Sequence, residues 1–375
     1  MILKKYFGII QFKWGIKMYI KNIELENFRN YNKQKIDLIN GINLFVGDNA
    51  QGKTNIIESV YLSAIGKSYR TIKDVEVINF EKDYCRIILN YNKLDINKKI
   101  ELFINNLNKK IIKQDEVKIG KLSEHVGEIL IVIFSPDSLD IVKGSPAKRR
   151  SFLDMICSQI SKSYYINLQE YMKCLKIKNL LLKNGNIDKE YIFVLHEKMS
   201  EYIFNIVNYR KIIIDKLLEK SKVIQNNLTK NTEDINLIYI SDFINLEKNE
   251  IKKILDNYLE IEVIRKISLK GIQRDDIGIF VNDKEVSKYG SQGQNRTALL
   301  TLKLANFELL REENNENPIL LLDDIMSELD SNRIRFLLDY IKDYQSIITT
   351  TDASFAKNAE NTIIYKVKNG EITQF

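Results

Sequence analysis

Residues 18–46 mix apolar and polar positions at short period. MYIKNIEL and QKIDL each carry an apolar residue at about every second place, and the more apolar INLFV follows. That period belongs to strands with one buried face. The same texture returns at Tyr84–Tyr91 and Lys99–Ile104, while EILIVIF (Glu128–Phe134) predicts a strand covered on both faces. From Ala147 the pattern changes. Leu, Ile, Lys and Gln dominate Ala147–Lys183 and again Lys189–Leu228, and Ile203, Ile206, Tyr209, Ile213 and Leu217 recur at helical spacing. No proline stands between Pro146 and Pro318, so nothing there forbids long helices. Asn184, Gly185 and Asn186 offer turn chemistry between the two runs. The spacing predicts two antiparallel helices. They read equally as a projecting arm or as an ordinary helical subdomain, because no strict heptad decides between them. Beyond them come a strand at Ile277–Asn282, a helix over 292–311, the apolar strand Ile319–Leu322, a helix over 332–342 and a strand at Ser346–Thr350.

Strands alternating with helices on both sides of the helical stretch argue for an α/β layered fold, a head split by a helical insertion. The boundaries fall at 18–146 for the first part of the head, 147–260 for the arm and 261–375 for the second part. Residues 1–17, interrupted by Lys4, Lys5, Lys13 and Lys17 and followed by a second methionine, Met18, read as an unstructured extension or a start placed too early. No stretch approaches the roughly 18 apolar residues a bilayer crossing needs, so the expected address is the cytoplasm, without a membrane partner.

Composition narrows the chemistry. A chain 44% hydrophobic and 29% charged is neither disordered nor fibrous. The net charge of +7 is compatible with nucleic acid without demanding it. Three widely spaced cysteines (Cys85, Cys157, Cys174) argue against a disulfide framework, and two histidines (His125, His196) against a histidine-based metal or catalytic cluster.

The strongest signal is Gly47-Asp48-Asn49-Ala50-Gln51-Gly52-Lys53-Thr54, which satisfies G-x4-G-K-[ST] between the strand INLFV and the helical TNIIESVYLSAI. Its glycines let successive N–H groups curl around a phosphate, and the following helix adds a positive dipole end. Lys53 is expected to reach the β- and γ-phosphates of ATP and Thr54 to ligate Mg²⁺. About 270 residues later, ILLL ends in Asp323-Asp324. Acids commonly end strands, but beside a phosphate loop Asp323 is placed to hold Mg²⁺ and Asp324 to polarise the attacking water. A third element, Ser291-Gln292-Gly293-Gln294, opens the helix TALLTLKLANFELL and forms a second anion site, or else a simple N-capped helix. Two such sites in one chain suggest a dimer in which Ser291 and Gly293 of one copy cap the γ-phosphate held by the other.

Phosphate loop, distant apolar-Asp-Asp strand and Ser-x-Gly-Gln helix together resemble an ABC-type ATPase head. The opening Leu25-Glu26-Asn27-Phe28-Arg29-Asn30-Tyr31 resembles that of SMC-like repair ATPases. The segments GKSYRT (66–71), FSPD (134–137), GSPAKRRSFLD (144–154), Arg274-Asp275-Asp276, DDIMSELD (323–330) and TTTD (349–352) narrow the likeness to the RecF family of recombination mediators. The resemblance runs over residues 18–375. Two departures stand out. Tyr69 replaces the usual histidine, and Gly271-Ile272-Gln273 replaces the usual Gly-Pro-His; neither is expected to touch the nucleotide motifs.

The resemblance implies ATP and Mg²⁺ as cofactors, with Arg29 and Asn30 joining the ATP site and Asp330 serving as the D-loop acid. It implies an ATP-dependent homodimer on single-strand-gapped or double-stranded DNA, working with RecR and RecO to load recombinase and support the SOS response. Thr350 and Thr351 occupy the place of the usual switch histidine, and Asp324 that of the usual glutamate. Both substitutions predict a weak, slow, DNA-dependent ATPase. Lys67, Arg70, Lys148, Arg149 and Arg150 are the candidate DNA contacts, to the backbone rather than to bases. Arg149 and Arg150 could instead brace the arm against carboxylates such as Asp154. The alternatives are a membrane transporter's ATPase subunit or another SMC-like repair ATPase.

Overall fold

The computed structural model of the chain describes residues 18–184, 188–352 and 361–374. The expectations for residues 1–17 and for the turn at Gly185 and Asn186 lie outside them. The alternating N-terminal run forms β1 (Met18–Phe28) and β2 (Tyr31–Asp37). Its alternation slips by one place between Ile20 and Ile23, and there the ladder of β1 on β4 (Tyr84–Lys93) shifts register. The bulge absorbs the extra residue, so both isoleucines stay buried. β5 (Ile96–Asn105), β6 (Lys110–Gln114) and β7 (Val117–Lys118) complete an antiparallel sheet in the order β2-β1-β4-β5-β6-β7.

A second sheet carries the candidate chemistry, in the order β15-β14-β3-β13-β12-β8. β3 (Ile42–Val46), β8 (Ile131–Phe134), β12 (Ile319–Asp323), β13 (Ser346–Thr350) and β14 (Thr362–Lys368) run parallel; β15 (Glu371–Gln374) closes one edge antiparallel. Parallel strands are covered on both faces, which explains their continuous apolar sequences. Successive residues of β12 divide between two cores. Ile319 and Leu321 pack with α1 (Lys53–Ile65) and the antiparallel sheet, whereas Leu320 and Leu322 pack with the helical lobe.

That lobe departs from the two-helix expectation. After the short α2 (Asp140–Lys143), the first helical run divides into α3 (Pro146–Ile160) and α4 (Lys162–Asn184). Ser161 adopts an extended backbone and its hydroxyl accepts from the Tyr164 N–H at 3.1 Å, so it caps a new helix rather than continuing the old one. α5 (Lys189–Thr229) spans 41 residues. Then β9 (Ile235–Ile240) pairs with β10 (Asp276–Val281), and β11 (Lys284–Glu285) completes a three-stranded sheet. α6 (Lys248–Arg265) packs on α5, and the boundary expected at residue 260 falls inside it. After α7 (Val286–Tyr289), α8 (Gln292–Asn314) lies along α5, with α9 (Ser331–Ile341) near the end. Ile203, Ile206, Ile213 and Leu217 of α5 are buried in one core with Leu299 and Leu302 of α8, so the inner part of α5 is ordinary lobe interior. Leu182, Ile192 and Leu259 form a small separate core where α4, α5 and α6 meet.

Several motifs converge at the root of this lobe. Arg210 on α5 donates to Asp154 and to Asp275, both at 2.7 Å, and to the Tyr164 hydroxyl at 3.0 Å, while Tyr239 donates to Asp275 at 2.6 Å. Arg149 forks onto Asp276 at 2.7 and 2.8 Å.

Candidate nucleotide site

The phosphate loop bridges the end of β3 and the start of α1. Gly52 has φ +110, and a Cβ there would lie 2.5 Å from the Asn30 amide, so the position excludes any side chain. The loop is framed by backbone acceptors. The Asn30 amide donates to Gln51 O at 3.1 Å and the Tyr31 hydroxyl to Gly52 O at 3.1 Å. A turn at Asn369-Gly370, between β14 and β15, donates from both backbone N–H groups to Gln51. The ammonium of Lys53 donates to the loop's own carbonyls at Gly47 (2.5 Å) and Asp48 (2.8 Å). Burial pushes its pKa below the usual lysine value, against the pull of Asp324, Asp48 and Asp323.

The strand end meets this loop directly. The Thr54 hydroxyl donates to Asp323 Oδ1 at 2.8 Å. Asp324 sits beside it with φ +51, its N–H held by the Thr349 carbonyl and hydroxyl. Burial raises the Asp324 carboxyl above the usual range and the neighbouring Asp323 adds to this, while Lys53 opposes it. Hydroxyl and carboxylate are hard oxygen donors, the set that suits Mg²⁺ once phosphate oxygens and waters fill the other positions.

Two residues without an expected role at the nucleotide complete the setting. The Thr349 hydroxyl donates to Asp323 Oδ1 at 2.8 Å, and the Tyr69 hydroxyl to Asp323 Oδ2 at 3.2 Å. Tyr69 was expected to stand clear of the nucleotide motifs; it touches one. Thr350, by contrast, turns its hydroxyl into a local turn with the backbone of Asp352, and its carbonyl accepts from Gly47 at 3.4 Å.

Arg29 reaches the site through its frame. Its guanidinium forks onto Glu58 of α1 at 2.6 and 2.9 Å and donates to Glu76 O. Glu58 also accepts from Ser68 at 2.6 Å and from Arg70 at 2.9 Å. An acid inside an otherwise buried helix was the available signal for this cluster.

Ser291 caps α8, accepting from the Gln294 N–H at 3.2 Å while the Gln294 side chain accepts from the Ser291 N–H at 3.1 Å. This is a capping box at an exposed helix end, with Gln292 exposed beside it and Gly293 partly so. Asp330 caps α9 and pairs with Arg333, which also donates to Thr297 on α8 and to Gly293 O. Asp330 and the α8 start are therefore one connected unit.

The basic candidates separate. Lys67 is exposed, Lys148 is half exposed with Asp140 at 3.4 Å, and Arg70 is 38% exposed while bonded to Asn55 and Glu58. Arg149 does not face outward as a DNA contact would. It is 8% exposed and held by Asp276, because the carboxylate at the start of β10 fixes both prongs of its fork. Arg150 donates to Asp275 O at 2.7 Å and lines, with Lys67, a cleft of about 290 Å³. Asp154, the partner considered for these arginines, is taken by Arg210.

The chain is similar to known proteins over most of its length. A family model of the AAA domain matches residues 22–363. The chain is 41% identical to the DNA replication and repair protein RecF of Clostridium perfringens (strain SM101 / Type A) over 359 residues, 95% of this chain and 99% of that protein. It is 40% identical to the protein of the same name from Clostridium tetani over 364 residues, 94% and 99% of the two chains. The solved structure of the recombination mediator protein RecF-ATP in the RecFOR pathway matches with a TM-score of 0.88 at 34% identity, covering 96% of this chain and 100% of that one. An Smc head with an extended coiled coil from Pyrococcus furiosus shares the fold alone, with a TM-score of 0.58 at 18% identity and 96% coverage of each chain.

Proposed function

Because the chain belongs to the RecF family of DNA replication and repair proteins, we propose that it is an ATP-driven switch on DNA. ATP binding pairs two copies, the pair holds DNA, and slow hydrolysis releases it. Family membership sets aside the transporter alternative. The observation that carries the reading is the closure of the phosphate loop on the strand end, Thr54 on Asp323 at 2.8 Å, across 269 residues of sequence.

Thr54 and Asp323 would hold Mg²⁺, which when bound neutralises charge between the β- and γ-phosphates. The Lys53 ammonium leaves the Gly47 and Asp48 carbonyls for phosphate oxygens. Asp324, whose carboxyl burial makes more basic, accepts a proton from the attacking water. A shorter carboxylate than glutamate, with threonines rather than a histidine at the end of β13, supports a weak, slow, DNA-dependent ATPase. The exposed start of α8, with Ser291 and Gln292 on the surface, supports the dimer, since a helix N-terminus of one copy can face the γ-phosphate of the other. Exposed Lys67 and partly exposed Lys148 and Arg70 support backbone contacts to gapped or double-stranded DNA. RecR and RecO are the expected partners in recombinase loading and the SOS response, in the cytoplasm.

Light scattering and fluorescence anisotropy on labelled DNA, with and without ATP, test this on wild type, Lys53→Arg and Ser291→Arg. The expected result is an ATP-induced, DNA-binding dimer that Ser291→Arg abolishes while its monomer still binds ATP. An unchanged monomer with unchanged DNA affinity in ATP would overturn the switch.

A further inference from the structure

The carboxylate of Asp323 is held on both oxygens. Oδ1 accepts from Thr54 and Thr349, each at 2.8 Å, and Oδ2 accepts from the Tyr69 hydroxyl at 3.2 Å. Thr54 and Thr349 belong to the loop helix and the neighbouring strand. Tyr69 arrives by another route. Gly66, at φ +80, ends α1 in the left-handed region and turns the chain into the 66–71 loop. Ser68 and Arg70 then anchor that loop to Glu58 on α1. The Tyr69 ring stands edge-on to Tyr61 at 5.1 Å, so packing as well as hydrogen bonding fixes the hydroxyl.

We infer that Tyr69 is a positioning residue for the metal-holding carboxylate, setting its plane so that Asp323 presents a fixed oxygen to Mg²⁺. This rests on the Mg²⁺ reading of Thr54 and Asp323 given above. The physical argument concerns one torsion. The carboxyl group of an aspartate rotates in a broad, roughly two-fold well, so donors on Oδ1 alone leave its plane loosely defined. A donor on Oδ2 removes that freedom, and partners of this kind govern metal affinity through the ligands they orient. An ordinary phenol is protonated at neutral pH and therefore a donor. Replacing tyrosine by phenylalanine deletes the donor and keeps the ring against Tyr61. Histidine restores an N–H donor near the same place.

The test is binding of a fluorescent ATP analogue to the full chain, first in EDTA and then across a Mg²⁺ titration, for wild type, Tyr69→Phe and Tyr69→His. Affinity in EDTA should be the same for all three. Half-saturating Mg²⁺ should rise about tenfold in Tyr69→Phe, the lower end of the loss seen when a ligand's supporting partner is removed. Tyr69→His should bring it most of the way back. Superimposable Mg²⁺ titrations of wild type and Tyr69→Phe would overturn the inference. So would a loss in EDTA as large as the loss in Mg²⁺, which would mean that the hydroxyl supports the nucleotide pocket as a whole and not the metal-holding carboxylate. A wild type indifferent to Mg²⁺ and matched by Asp323→Asn would overturn the metal reading itself.

Discussion

Glu58 and Arg210 are charge mirrors of one another. The first is a carboxylate without exposed surface that takes two arginines; the second is a guanidinium 2% exposed that takes two carboxylates. Their partners differ. Arg29 and Arg70 are 18% and 38% exposed and lie on loops beside the phosphate loop. Around Arg210, Asp275 is 2% exposed and Tyr164 and Tyr239 close the cluster. A buried ion held by half-exposed loop residues can exchange partners without unfolding. One held by Asp154 on α3, 24% exposed, and by the buried Tyr164 of α4, Tyr239 of β9 and Asp275 just before β10 joins four parts of the lobe and comes apart only with the fold. The same chemistry thus gives a seam that yields and a root that does not.

The largest effect should come from Arg210→Ala. Removing it strands Asp154 and Asp275 and should cost about 3–5 kcal/mol in denaturant unfolding, with ATP affinity of the folded fraction retained. A loss near that of a surface pair would erase the contrast. Glu58→Gln should cost less, about 1.5–3 kcal/mol, because Arg29 and Arg70 keep access to water. It should weaken nucleotide binding more than Arg210→Ala does, measured with the same fluorescent analogue.

Lys303 sharpens the comparison as a buried cation with no ion pair among the described residues. It is 5% exposed, with its ammonium 5.3 Å over the Phe152 ring. Burial pushes its pKa down to about 7. An unfolded lysine titrates near 10.4, so between about pH 7 and 10 the unfolded chain binds more protons and stability rises with pH. Lys303→Met should therefore stabilise the protein by about 1–2 kcal/mol at pH 7 and progressively less toward pH 10. A gain independent of pH would contradict this. The smallest stability effect belongs to Arg70→Ala, within about 1 kcal/mol, because Arg70 is 38% exposed and Arg29 and Ser68 still hold Glu58 without it. If Arg70 also meets a DNA phosphate, the salt slope of DNA binding should fall by about one.

Local sequence disclosed the phosphate loop because everything it requires, two glycines, a lysine and a threonine between strand and helix, is contiguous. The Asp323 strand was legible once the loop was known. Tyr69 and Thr349 were not, because their roles exist only where a loop folds back beside α1 and where β13 lies next to β12. Arg149 failed as a surface residue for the same reason: its partner, Asp276, is 127 residues away. The division at Ser161 carried a local signal, a serine able to cap a helix, and the β14–β15 hairpin carried another in Asn369-Gly370. β9 offered less, since its partner β10 follows only after the whole of α6.

The order of the parallel sheet also has a meaning in time. β3 leaves the ribosome early, β8 next, and β12, β13 and β14 last, yet β3 sits between β14 and β13. At about 5–20 residues per second, Asp323 emerges roughly 15–50 s after the threonine it binds. The antiparallel sheet, built from consecutive hairpins apart from the insertion of β3 and α1, can form meanwhile. The nascent chain therefore exposes β3 as an unsatisfied edge until synthesis is nearly finished. A truncation that removes β14 and β15 leaves that edge open for good, and with it a surface on which partially made copies aggregate.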